Sequence, residues 1–193
     1  SSGGGTVKSL WLDYQRDSSY FRPARGHILI IQCGIVDCAP RPIPSTVGRT
    51  ISRMPNIVQQ IVKKLLHKYR PNILLSGFSW RHIIPAEFQS TLKSWLAVAI
   101  KDFERVYVIN IAPTNSAIES HSPGLTSSIE LYNKIISVAV KSIAASNLFL
   151  MDIHGALNVP DPCSNKHINE HDGHHLTLEG HKVYAELIAD NEA

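Results

Sequence analysis

The chain has 193 residues, enough for one domain with a substantial core. Apolar residues make up 44% of it and charged residues 18%, which excludes a disordered or low-complexity chain. The formal net charge is +3 with no run of like charges, so the electrostatic footprint of a nucleic-acid or membrane-surface binder is absent. No apolar stretch approaches the ~18 residues that cross a bilayer. Cys33, Cys38 and Cys163 include no CxxC pair. This argues against a disulfide framework or a thiolate zinc site and slightly favours free thiols in a reducing, cytoplasmic compartment.

Taken in chain order, "HILIIQCG" (27–34) is a continuous apolar run ending at glycine and predicts a strand buried on both faces. A proline-rich loop (38–48) follows. In "MPNIVQQIVKKLLHKYR" (54–70), apolar residues at Ile57, Val58, Ile61, Val62, Leu65 and Leu66 have helical spacing, and Pro71 is read as the stop. "NILLSGF" (72–78) reads as a second strand, and "PAEFQSTLKSWLAVAIKDF" (85–103) as a helix with proline at its start. "RVYVINIAP" (105–113) is a further strand, "SSIELYNKIISVAVKSIAAS" (127–146) an amphipathic helix, "NLFLMDI" (147–153) a strand and "LEGHKVYAELIAD" (178–190) a closing helix. Alternating strands and helices predict a single α/β domain over 1–193 with a parallel sheet, the apolar helix faces forming its core.

In such a fold, reactive residues sit on loops at the carboxyl ends of the strands. The longest of these loops leads into "HDGHHLTLEGHKVY" (171–184), which carries His171, His174, His175 and His181. His171 and His175 have the spacing of a helical metal pair. They precede Thr177, however, which reads as a helix N-cap with Glu179 in the first turn. No Cys or Glu pattern completes a site, so no metal and no organic cofactor is expected. His171, His174 and His181 are read as solvated. Asp172 and His175 differ, because a DxxH pair ahead of a helix lets the carboxylate accept the imidazole Nδ1–H. Nε2 is then free to take a proton from a nucleophile. Asp37 is read as holding its loop by an Asx-type bond and Asp152 as supporting the final loop. Arg41 and Arg81 lie on the same end of the fold. They are read as solvated, with contact to an anionic substrate as the alternative.

The block "DGHHLTLEGHKVYAELI" resembles the last motif of the SGNH, or GDSL-like, hydrolase superfamily. "ILIIQCGIVD" resembles its GxND block, "SSGGGTVKSLW" its glycine block, and "NIAPT" and "SIELYNKII" its later strand end and helix. The resemblance implies a flavodoxin-like three-layer sandwich and a serine hydrolase acting on an acyl or acetyl ester of a small molecule or glycan. It implies His175 as general base and Asp172 as its orienting carboxylate. It places Gly4 at the oxyanion and Gly34 as the glycine of the third block.

Two departures stand out. No GDS block with its nucleophilic serine occurs, and Val36 stands where the family has an oxyanion-donating asparagine, with Asn115 or Ser79 as candidate substitutes. Without the strand that carries the serine, the strand at 27–33 would leave an apolar edge unpaired. The expectation is therefore that an N-terminal segment or a second chain completes the sheet. A catalytically impaired binding or scaffold domain is the alternative.

Overall fold

The computed structural model describes residues 5–16, 27–159 and 165–190. Their elements, in chain order, are α1 (Val7–Arg16), β1 (Ile28–Gln32), α2 (Ile35–Cys38), α3 (Ser45–Ile51), α4 (Asn56–Leu75), α5 (Pro85–Asp102), β2 (Arg105–Ile109), α6 (Ser116–His121), α7 (Leu125–Ile143), β3 (Leu148–Met151), α8 (Ile153–Leu157) and α9 (Leu178–Asp190). The three strands form one parallel sheet in the order β1-β2-β3, with Ile30 opposite Tyr107 and Tyr107 opposite Phe149.

Side-chain alternation along the strands divides the core in two. Ile31, Val106, Val108 and Leu148 face one side, where they meet Phe88, Leu92 and Leu96 of α5 and Ile129, Tyr132 and Ile136 of α7. Tyr107, Ile109 and Met151 face the other side, against Ile153 and Leu157 of α8 and Val183, Tyr184 and Leu187 of α9. Helices thus cover both faces, as the resemblance implied. Each fully buried side chain such as Leu92 or Ile136 contributes about 1.5–3 kcal/mol by leaving water. The Tyr132 hydroxyl is satisfied by the Ile83 carbonyl.

Two sequence expectations fail. Residues 72–78 are not a strand, because α4 runs through Pro71 to Leu75. Proline there forgoes one N–H bond, but the Asn72 carbonyl still accepts from Ser76 N–H at 3.0 Å. Gly77, at φ +89°, closes the helix, and Leu74 is its one buried residue. Among the described residues the segment pairs with no strand, so its backbone satisfies itself helically. Nor is the apolar face of α4 core, since Ile57 is 74% exposed, Ile61 54% and Leu65 51%.

The expectation of a first strand buried on both faces fails as well: among the described residues β1 is an edge of the sheet, with Ile31 buried and Ile28 and Ile30 exposed. Beyond it the chain turns sharply at Gly34, where φ is +120° and an added Cβ would lie 2.7 Å from Ile111 Cδ1. Only glycine fits that turn without strain.

The bond made by Asp37 reaches much farther than an Asx turn. Both carboxylate oxygens accept from Val7 N–H, at 3.1 and 3.2 Å, and so join α2 to the start of α1. Burial pushes the Asp37 pKa up to about 6, against backbone N–H groups that favour the anion. Cys33 and Cys38 flank the same turn, both buried. Burial and then the Asp37 charge raise both thiols, Cys38 to about 12.

A carboxyl whose pKa is raised by folding stabilises the native state below its unfolded pKa and loses that contribution as pH rises through the folded value. Urea unfolding between pH 4 and pH 7 will therefore show wild type losing on the order of 3 kcal/mol relative to Asp37→Asn. A constant difference across that range would contradict the assignment.

Candidate active site

The carboxyl ends of the strands are fixed by side-chain amides. Asn133 of α7 grips the Ile111 backbone from both sides, accepting from its N–H at 2.8 Å and donating to its carbonyl at 2.9 Å. Asn110 donates to Asp152 Oδ1 at 2.6 Å and accepts from His154 N–H at 2.9 Å. Asp152 also caps α8 through Gly155 N–H, which gives it the supporting role read from the sequence.

On this platform, residues 167–177 fold back on themselves. Ile168 bridges Leu176, Asn169 N–H donates to the His175 carbonyl at 2.7 Å, and Thr177 N–H donates to the His167 carbonyl at 2.9 Å. Thr177 Oγ1 accepts from Gly180 N–H, the N-cap bond expected at the start of α9. Gly173 sits at the tip with φ +72°, and its carbonyl accepts from Asn115 N–H at 3.0 Å. Asn115 uses both ends of its amide here, because Oδ1 caps α6 through Ile118 N–H and Nδ2 donates to the Asn169 carbonyl. It holds the loop and is not on the wall of the groove described below.

The turn delivers Asp172 and His175 to each other. Asp172 Oδ2 lies 3.0 Å from His175 Nδ1, while Oδ1 accepts from the backbone N–H groups of His175 and His174 at 2.9 and 3.0 Å. Those two N–H groups, followed by the His175 ring, hold the carboxyl well below the usual carboxylate range. The anion is thus fixed by the backbone before it meets the imidazole. His175 is exposed, with 70% of its side chain open to solvent. Its Nε2 stands clear of the Asp172 bond.

His174 Nδ1 lies 3.0 Å from the Asp172 carbonyl oxygen, and the His174 and His175 rings are 4.1 Å apart. Donor atoms of Asp172, His174 and His175 lie within 4.8 Å of one another, but Asp172 Oδ1 and Oδ2 and both Nδ1 atoms are already taken up by bonds of the turn. The spacing of 3.0 Å between His175 Nδ1 and Asp172 Oδ2 is that of an ordinary N–H···O hydrogen bond.

His174, His175 and Tyr184 line a groove of about 1490 Å³ that runs along β1. Gly34 and Val36 line it too, so two of the sequence-marked positions meet His175 in one cleft. Gly4 lies outside the described residues, and its neighbour Gly5 lines the groove. His171 and Ser79 are not on its wall, whereas His181 is. Arg81 donates to Ser128 Oγ at 2.8 Å and is not a groove residue. The groove also holds residues that sequence reasoning missed, namely Arg70, Thr114, Ser122 and Tyr184. Thr114 Oγ1 is buried without a partner.

An alanine at Gly173 would put its Cβ 2.5 Å from Asn115 Oδ1 and 2.7 Å from Ile118 Cβ, at a φ that disfavours any side chain. Gly173→Ala is expected to lower stability by about 1–3 kcal/mol, read by chemical denaturation. An unchanged midpoint would mean the loop is not pinned as described.

No protein-family model matches the chain, and no curated protein matches it in sequence. Solved structures do match in fold. The α/β hydrolase enzyme LAE5, from the metagenome of Lake Arreo in Spain, is 17% identical with a TM-score of 0.59, covering 97% of this chain and 67% of its own. The lipase/acylhydrolase from Enterococcus faecalis is 15% identical with a TM-score of 0.61, covering 97% and 70%. Axe2, an acetylxylan esterase from Geobacillus stearothermophilus, is 14% identical with a TM-score of 0.59, covering 97% and 67%. The chain therefore shares the α/β fold of these hydrolases, a parallel sheet covered by helices on both faces, as its motifs implied.

Proposed function

We propose that the protein hydrolyses a carboxylic ester by a Ser-His-Asp mechanism in which His175 is the base, Asp172 its orienter, and the serine lies outside the described residues. The carrying observation is the Asp172–His175 contact at 3.0 Å, with the carboxylate anchored by backbone N–H groups and the imidazole facing the groove. The serine would be brought in by a strand pairing with the open edge of β1, contributed by a preceding segment or by a second polypeptide. The exposed Ile28 and Ile30 and the groove beside β1 support that position.

In the reaction, His175 Nε2 takes the serine proton as the serine oxygen bonds to the ester carbonyl carbon. The alkoxide leaves with that proton as an alcohol, giving an acyl-enzyme, and water then repeats the sequence and releases the acid. Gly4 and the Gly34 turn would border the developing oxyanion. The polar loop at 154–175 and the acetylated-glycan activity named for Axe2 favour a small or glycan acyl ester. The whole of 1–193 would act as one domain.

One observation favours the alternative. Val36 lines the groove and carries no donor, and the loss of one oxyanion donor costs ~10²–10³ in rate. On that reading the domain binds an ester without cleaving it.

A fluorophosphonate probe on the protein from its native source decides between the two, read by intact mass. One adduct is expected, formed at least ~10²-fold more slowly in His175→Ala and in Asp172→Asn. No adduct in wild type would overturn the hydrolase reading in favour of the binding domain.

A further inference from the structure

The groove has a second chemical character away from the dyad. Arg70 and His121 line it and also line an adjoining cavity of about 220 Å³ whose other walls are Pro42, Lys63, Leu66 and His67. That cavity has two permanent cations and two imidazoles on its walls and no carboxylate. Arg41 lies on the groove wall with Arg70, close enough that its charge, after burial, lowers the Arg70 pKa. Among the described residues none of Lys63, Arg41 and Arg70 forms an ion pair.

Arg70 is positioned rather than neutralised. Its Nη2 donates to the Pro40 carbonyl at 2.6 Å and to Ser122 Oγ at 3.0 Å, while its Nε is buried without an acceptor. Arg41 Nε is likewise buried and unpartnered. The His67 and His121 rings lie 4.6 Å apart. Burial, then His67 and Arg70, hold the His121 pKa down, and burial, then Arg41, does the same for His82. Half-buried guanidinium groups that repel one another cost the fold free energy unless an anion meets them. Guanidinium forks present paired N–H donors that match paired oxygens.

We infer that Arg41, Arg70, Lys63, His67 and His121 form a subsite for a dianionic phosphate-class group on the substrate ester. This deepens, and rests on, the ester-hydrolase reading of the neighbouring dyad. The fixed charges of Arg41, Arg70 and Lys63 suit a phosphate carrying roughly −1.5 to −2 at neutral pH better than a single carboxylate.

Titration calorimetry of the full protein with inorganic phosphate, at constant ionic strength against chloride, tests the subsite directly. Saturable binding is expected, weakened about tenfold in Arg70→Gln. Because Arg70 also ties the fold together, the Lys63→Gln/His67→Gln double variant is the second test. Neither side chain makes a hydrogen bond within the described structure, and the pair is expected to weaken phosphate several-fold.

No binding beyond chloride, or equal binding by wild type and the double variant, would overturn the subsite. Acetate binding as tightly as phosphate would overturn its assignment to a dianion. The probe experiment separates the two readings. An adduct without phosphate binding sinks the subsite alone, and phosphate binding without an adduct sinks the hydrolase alone.

Discussion

From Val106 to Ile109 every residue of β2 is buried, and this constraint organises the molecule. A parallel strand with no exposed face must be covered on both sides and paired on both edges. α5 and α7 cover Val106 and Val108, while α8 and α9 cover Tyr107 and Ile109. β1 and β3 supply the edges. Because the three strands run the same way, their carboxyl ends gather the turns at Gly34, Ile111 and Asp152 at one end of the sheet, where Asn133 and Asn110 clamp the backbone. The dyad loop docks onto this clamped end through Asn115.

Two aspartates show how environment divides one chemistry into two tasks. Asp37 is buried, and though backbone N–H groups hold it, burial outweighs them and raises its pKa. Its work is architectural, since it pins α1 to the turn after β1. Asp172 is part-exposed and receives two backbone N–H groups and an imidazole, which favour its anion. A carboxylate that stays charged can orient an imidazole and stabilise it when it becomes charged. The backbone donors matter as much as the ring, because they fix where the charge sits before any proton moves.

Much of this was legible in the sequence. The three apolar runs around Ile30, Val108 and Leu150 mark the strands, but only β2 is buried on both faces, because β1 and β3 lie at the edges of the described sheet. The DxxH spacing marks the dyad because the three-residue separation lets the carboxylate turn back, with Gly173 permitting the turn. Residues 72–78 misled because "NILL" suits a buried strand as well as a helix end, and nothing local reveals whether a strand partner exists. The apolar spacing of α4 specified a helix correctly, but burial depends on what packs against it. Asn115 looked like a loop amide; only tertiary contact with Gly173 and Asn169 commits both its ends. The cationic cluster was least legible: Lys63, His67 and Arg70 share one face of α4, but Arg41 and His121 join them only through tertiary contact, and no motif links the three segments.

The turn around Gly34 has one more consequence. Cys33 and Cys38 stand on either side of it, buried, with thiols that resist ionisation. Thiolate, not thiol, reacts with oxidants and alkylating agents, so both sulfurs are chemically silent while the corner stays closed. The corner that joins the exposed strand edge to the groove is thus flanked by two thiols that burial holds in their less reactive, protonated form.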